Sequence, residues 1–191
     1  MGNDEYLQQI EEEIYQKAVD AIASWNEPDI YVVSFYFWED EQNPCKPRLS
    51  IGFNTERRYQ ETLTEVDDGD EHDARWNFAW WLQNDHDVQY GCDPQSAKLI
   101  EKWVGTFKIR YHITGAFNDM LVRVVQRIHK EGILTSRFGK ELPIVIFDEE
   151  EECDYSLANL NANKKANGNS LPEEYVEFYQ EIAEENSEYD D

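Results

Sequence analysis

Apolar positions along the chain repeat with two periods, and the switches between them outline the elements. Leu7, Ile10, Ile14, Ala18, Ala21 or Ile22, and Trp25 recur at steps of three and four, which predicts an amphipathic helix. Asn3 or Asp4 serves as its cap, with Glu5 at the positive end of the dipole and Asn26-Glu27-Pro28 as its stop. Ile30 to Phe37 is β-branched and aromatic on both alternating faces, the pattern of a central strand covered on both sides. In Arg48 to Phe53, Leu49, Ile51 and Phe53 share one face. Asn43-Pro44 and Pro47 predict a long loop between these two strands, which pair as an antiparallel hairpin.

Residues 56–73 read as a polar, acidic connection into a helix over Ala74–Gln83 that is apolar nearly all round. Asp93-Pro94 opens a further helix, Asp93 as N-cap and Pro94 at the first helical position, with Ile100, Trp103, Val104 and Phe107 inward. Residues 107–113 fit a strand by alternation, but a helix or irregular linker is favoured. From Thr114 the period is helical through Phe117, Leu121, Val124, Val125 and Ile128, ending at Gly132 in a left-handed cap closed by Ile133. Pro143–Phe147 is a short buried strand, and a weaker helix follows over Tyr155–Ala166. Ser170-Leu-Pro-Glu173 reads as a capping box for a last helix bearing Tyr175, Phe178, Tyr179 and Ile182. Helices outweigh strands and the two do not alternate. The expectation is an α+β fold, a small, mainly antiparallel sheet packed with several helices, in one domain over 1–185 with a frayed acidic tail at 186–191.

Composition narrows the function classes. The 191 residues carry a net charge of -24, yet 40% are apolar and 14% aromatic, which excludes disorder for most of the chain. So negative a surface repels phosphate backbones and anionic membranes, so neither nucleic acid nor membrane is an expected partner. Ile30–Trp38 is too short to span a bilayer, and the N-terminus lacks a secretory pattern. Cys45, Cys92 and Cys153 are odd in number and form no CxxC pair, which fits free thiols in a cytoplasmic protein. The charge is segregated: residues 98–140 hold 9 basic and 3 acidic residues, against 6 and 22 before them and 2 and 16 after. The central helices therefore have acidic segments of their own chain to pair with.

Catalytic motifs are missing. None of GxGxxG, GxxxxGK[ST], HExxH or GxSxG occurs. Asp67–Asp73 invites a calcium-loop reading, but with Asp67 first the glycine falls third and the twelfth position is Phe78. His72 and His86 could share a metal with Asp73 or Asp85, although no ligand spacing supports it. His112 and His129 are assigned to exposed helix faces. Cys92, just before an N-cap, is a weak nucleophile lead. No catalytic residue, metal or cofactor is assigned.

Two acidic clusters remain: Glu65, Asp67, Asp68, Asp70, Glu71 and Asp73, then Asp148, Glu149, Glu150, Glu151, Glu152 and Asp154. Charge runs are ordinarily solvated loops, but the second follows a buried strand and so starts at a sheet end. Trp76, Phe78, Trp80 and Trp81 are chiefly core filling, with one or two tryptophans as possible interface anchors.

Several stretches together resemble a known family: DIYVVSFYF, IGFNTE, DARWNFAWWLQND, VVQRIHKEGIL, LPIVIFDEEE and ANLNANKKAN. Over roughly residues 5–182 the chain resembles a bacterial family of domains of unknown function, some of whose members are regarded as immunity proteins encoded beside polymorphic toxins. The resemblance implies a non-enzymatic protein that binds and neutralises a toxin, with no family active-site residues to carry over. A basic toxin domain suits an acidic surface. The partner-binding residues on this reading are Asp67, Asp68, Asp70, Glu71 and Asp73, then Asp148, Glu149, Glu150 and Glu151, with Trp80 and Trp81 as apolar anchors. The alternatives are a nucleic-acid mimic that inhibits a DNA-binding protein, and a metal-assisted hydrolase using His72 and Asp73.

Overall fold

A computed structural model describes residues 2–40, 42–66, 71–81, 88–109, 112–149 and 157–188, without the side chains of 44, 112 and 183–188. In chain order the elements are α1 (Asn3–Ser24), β1 (Ile30–Asp40), β2 (Asn43–Thr55), α2 (Glu56–Thr62), α3 (Glu71–Trp76), β3 (Val88–Tyr90), α4 (Pro94–Val104), α5 (His112–Lys130), α6 (Ile133–Phe138), β4 (Ile144–Asp148), α7 (Leu157–Asn167) and α8 (Glu173–Glu188). The strands form one sheet in the order β3-β2-β1-β4. β1 is antiparallel to β2 and parallel to β4, and β3 pairs antiparallel with β2. The fold is α+β, with a small, mostly antiparallel sheet. Among the described residues no helix is long and apolar enough to cross a membrane.

Alternation along the strands divides the core in two. Val33, Phe35 and Phe37 of β1, Leu49 and Ile51 of β2, and Ile144 and Ile146 of β4 face one way, onto α1, α4, α5 and α6. Val32, Val145 and Phe147 face the other way, onto Trp76, Phe78, Trp81, Leu160 and the α8 aromatics Tyr175, Phe178 and Tyr179. One irregularity makes the second layer possible. Ile30 pairs with Thr55 but Val32 with Asn54, so Tyr31 is an extra residue, a β-bulge. It turns Tyr31 to the same side as Val32, where its hydroxyl donates to the Arg75 carbonyl at 2.6 Å.

β4 is buried at every residue although no strand flanks its outer edge among the described residues. Ile144 and Ile146 turn their N–H and C=O groups away from β1, and α7 meets them with side-chain amides. Asn163 accepts from Ile146 N–H at 2.8 Å and donates to its C=O at 2.8 Å, while Asn167 does the same for Ile144 at 2.7 and 2.9 Å. Asparagines four apart lie on one helix face, so α7 stands in for a fifth strand. His129 of α5 braces this clasp. Its Nε2 lies 3.1 Å from Asn167 Oδ1 and its Nδ1 2.9 Å from Glu141, with the side chain only 13% exposed.

Several expectations need correction. His129 is packed, not on an open face. The long hairpin loop does not exist: Asp40 pairs with Asn43, and Pro44 and Pro47 lie inside β2. Proline is tolerated there because β3 pairs only with Leu49–Ile51, leaving that stretch of β2 at the sheet edge. The acidic connection contains α2, capped by Thr55, whose Oγ1 accepts from Arg58 N–H at 3.1 Å. The long tryptophan helix is instead the short α3, followed by a 3-10 turn over Phe78–Trp80; residues 82 and 83 lie outside the described ones. α1 starts at Asn3 after Gly2, whose N–H donates to Glu5 at 2.8 Å, so neither Asn3 nor Asp4 is the cap. Gly132 has the left-handed φ of 66°, but the chain re-enters a helix, α6, at once. Ser170 sits in a 3-10 turn rather than capping α8, which begins at Glu173 and runs to Glu188, into the expected tail. Asp93 caps α4 as expected, accepting from Gln95 and Ser96 N–H at 3.0 Å.

The clasp has a measurable consequence. Asn163→Leu strands the N–H and C=O of Ile146 in the core and is expected to destabilise the chain by about 3 kcal/mol in denaturant unfolding. Asn161→Ala, on the exposed side of the same helix, changes stability by less than about 0.5 kcal/mol.

Candidate interaction surface

The described arginines of the basic central segment are bonded within the molecule. Glu11 and Glu12 of α1 meet Arg123 and Arg127 of α5 at 2.8 and 2.6 Å, and Arg127 also holds Glu131 at 2.8 Å while lying over the Tyr15 ring. Elsewhere Arg48 pairs with Asp40, Arg57 with Glu27, Arg58 with Glu61 and Glu65, and Lys46 with Glu101. Arg137 donates to the Trp25 carbonyl. Every described arginine therefore has an acceptor within the chain. Each exposed pair adds little stability; their joint effect is to cancel charge on the α1–α5 side.

The opposite side keeps its charge. α8 carries Glu173, Glu177 and Glu181 at four-residue steps, exposed and without an ion pair among the described residues, and it has no basic residue. It is fixed to α3 by an arginine. Both oxygens of Glu56 accept from Arg75, at 2.8 and 2.9 Å, and Arg75 Nε lies 2.9 Å from Glu174. The guanidinium sits 4.3 Å from the centre of the Tyr31 ring and 4.8 Å from that of Tyr59. Trp76 Nε1 donates to Glu174 at 2.8 Å, and Tyr179 donates to the Trp76 carbonyl at 3.1 Å. α3, which carries Glu71 and Asp73 of the first acidic cluster, is thus bonded to α2 and α8.

The expected partner-binding residues fall into three groups. Asp67, Asp68, Asp70, Glu150 and Glu151 lie outside the described residues. Glu71 and Glu149 are exposed, and Asp73 is half-buried, its oxygens taken by Asn77 Nδ2 at 2.8 Å and Trp80 Nε1 at 2.7 Å. Asp148 and Trp81 are buried, 3% and 5% exposed, and offer no surface; the Trp81 indole donates to the Arg75 carbonyl. Trp80 is partly buried. The carboxylates of α8 were not anticipated, although their i, i+4 spacing is visible in the sequence. Missed as well were Trp38, half-buried near the end of β1, and the exposed Ile109 and Leu157.

No group of three or more His, Cys, Asp or Glu side chains placed to hold a metal occurs among the described residues; Asp85, His86 and Cys153 lie outside them. His72 is exposed on α3. At Cys92, partial burial pushes the thiol pKa up, with Arg48 opposing and Asp93 adding to the rise. A thiol held protonated is a poor nucleophile.

Comparison of the chain with protein-family models, with curated proteins and with solved structures finds no match.

The Arg75 node predicts a pH dependence. Hydrogen bonds from Arg75 hold the Glu56 carboxyl below its ordinary value of 4.5, against partial burial. Because the folded value is the lower one, this contribution is complete above about pH 4.5 and is lost as pH falls through the folded value. In urea titrations between about pH 5 and pH 3, Glu56→Gln is expected to lose stability less steeply than the native chain. Identical slopes would remove the bond from the account.

Proposed function

We propose that the chain is a protein-binding protein of the immunity type, neutralising a basic toxin domain through an acidic surface. What carries this reading is the segregation of charge. The arginines are consumed by internal pairs, whereas Glu173, Glu177 and Glu181 stand exposed with no cation nearby on their helix. A surface of that kind speeds encounter with a cationic partner and suppresses anionic ones. Because α8 packs on α3 through the Arg75 node, its charges keep a fixed spacing, and rigid presentation lowers the ordering cost of binding.

The α8 spacing also supports a second reading. Steps of four residues advance about 6 Å along a helix, close to the separation of successive phosphates in an extended nucleic-acid strand. On that reading the partner is a DNA-binding protein whose phosphate groove α8 occupies, and duplex DNA competes with this chain for it.

The deciding measurement titrates the purified product of the adjacent reading frame into this chain by calorimetry. Stoichiometric binding is expected, weakened at least about tenfold between about 50 and 300 mM salt. The double variant Glu177→Lys/Glu181→Lys is expected to reduce both the low-salt affinity and the salt dependence. Absence of binding at both salt concentrations refutes the reading.

A further inference from the structure

We propose that Asn167 is a modification site gated by the fold: its side chain deamidates only when the clasp on β4 opens, and the product cannot close the clasp again. This goes beyond the protein-binding reading and depends on no partner.

Asn167-Gly168 is the single Asn-Gly pair in the sequence, and the fold needs each half for its own reason. Asn167 supplies the amide that meets Ile144. Gly168 follows α7 with a φ of 53°, in the left-handed region, and a Cβ there would meet nothing within 4 Å. Backbone conformation rather than space therefore calls for glycine. The resulting pair is chemically labile, because a glycine nitrogen carries no side chain to obstruct its approach to the preceding amide. The Gly168 nitrogen bonds to Asn167 Cγ, the Cγ–Nδ2 bond breaks, and the proton from Gly168 leaves with the amide as ammonia. Water then opens the cyclic imide at one or other carbonyl, giving aspartate or isoaspartate.

In the folded chain that attack is blocked. Asn167 donates to the Ile144 and Asn163 carbonyls at 2.9 and 3.0 Å. Its Oδ1 accepts from Ile144 N–H at 2.7 Å and lies 3.1 Å from His129 Nε2. The residue is 5% exposed. Ring closure brings Cβ and the Gly168 nitrogen into eclipse about the Cα–C bond, which the helical ψ of -22° at Asn167 does not allow. The side chain must leave β4 and the backbone must turn before the imide forms. Reaction therefore runs through the open form, at a rate set by its population.

The product lacks what the clasp requires. A carboxylate accepts but does not donate, so the Ile144 and Asn163 carbonyls lose their donor and a charge is set in the core. Both effects oppose reclosure. Isoaspartate also adds a methylene to the main chain at the joint between α7 and α8. Opening followed by deamidation is thus one-way, and it leaves the edge of β4 bare as a template for other chains.

Peptide mass mapping of the purified chain, native and in about 8 M urea at equal pH and temperature, tests the gate. The rate at Asn167 is divided by that at exposed Asn169 in the same digests, which removes the effect of urea on the chemistry. That ratio is expected to be at least about tenfold lower in the native chain; a ratio that urea leaves unchanged overturns the proposal. Asn163→Leu loosens the clasp but keeps the Asn-Gly pair, and should raise the native ratio at least about threefold. No rise means that the clasp is not the gate. Deamidated chain, separated by anion exchange on its added charge, is expected to unfold at lower urea concentration than unmodified chain, and equal midpoints overturn the one-way step. The first and last measurements use the native sequence, so they stand even if Asn163→Leu unfolds.

Discussion

The fold depends on closing the outer edge of β4 with something other than a strand. A five-residue strand buried on every side has backbone groups that water cannot reach, and each one left unmet costs on the order of 1–3 kcal/mol. Asn163 and Asn167 supply donor and acceptor together, which no apolar residue and no single hydroxyl does as completely. The same bonds set the register of α7 along the strand. Through His129 they also tie α5 to that edge. An exposed edge would be a template for pairing with other chains; the clasp removes it.

The second organising device is the Tyr31 bulge. Without it, strict alternation would send Tyr31 towards α1 and α5, into a core already filled by Ile10, Ile14 and Phe117. With it, the phenol reaches α3, and the Arg75 side chain settles between Tyr31, Glu56 and Glu174. A local backbone irregularity in a central strand thus determines where the acidic face is held. Charge pairing on the α1–α5 side and charge surplus on the α3–α8 side follow from one topology, because the basic helix is packed against the first helix and the acidic last helix against the far side of the sheet.

Much of this was legible from residue order, for reasons that differ by element. Ile30–Phe37 announced a doubly covered strand by being apolar on both faces, and Asp93-Pro94 and Gly132 marked helix ends because each meets a specific backbone requirement. The hairpin misled because Pro44 and Pro47 signal loops unless the strand's outer edge is known to be free, which is a tertiary fact. α2 was hidden since Arg57, Arg58 and Gln60 show no apolar stripe; its cap, Thr55, belongs equally well to a strand end. The clasp was invisible for a related reason. Asparagines at i, i+4 read as weak helix formers until β4 is placed beside them. At the candidate surface, Glu149 and Glu71 are exposed where the charge pattern put them. Burial of Trp81 agrees with the core-filling reading of the tryptophan cluster, whereas burial of Asp148, the first carboxylate of its run, carries no mark in the sequence.

The last helix breaks a local rule. Acidic residues suit the first turn of a helix and oppose the dipole in its last, where each costs or gains about 0.3–1 kcal/mol near the surface. Glu173 and Glu174 follow the rule, but the helix goes on through Glu181, Glu184, Glu185 and Glu188 with no basic residue at its C-terminal end. Stability alone would place lysines there, as α5 places Arg127 and Lys130 in its own last turn. The chain holds 17 basic residues against 41 acidic ones and places none of the 17 on this helix. Where a sequence departs from a rule that it obeys elsewhere, function is the usual reason. A helix held acidic against its own dipole is stabilised by anything cationic that settles on it, which is the physical ground of the protein-binding reading proposed above.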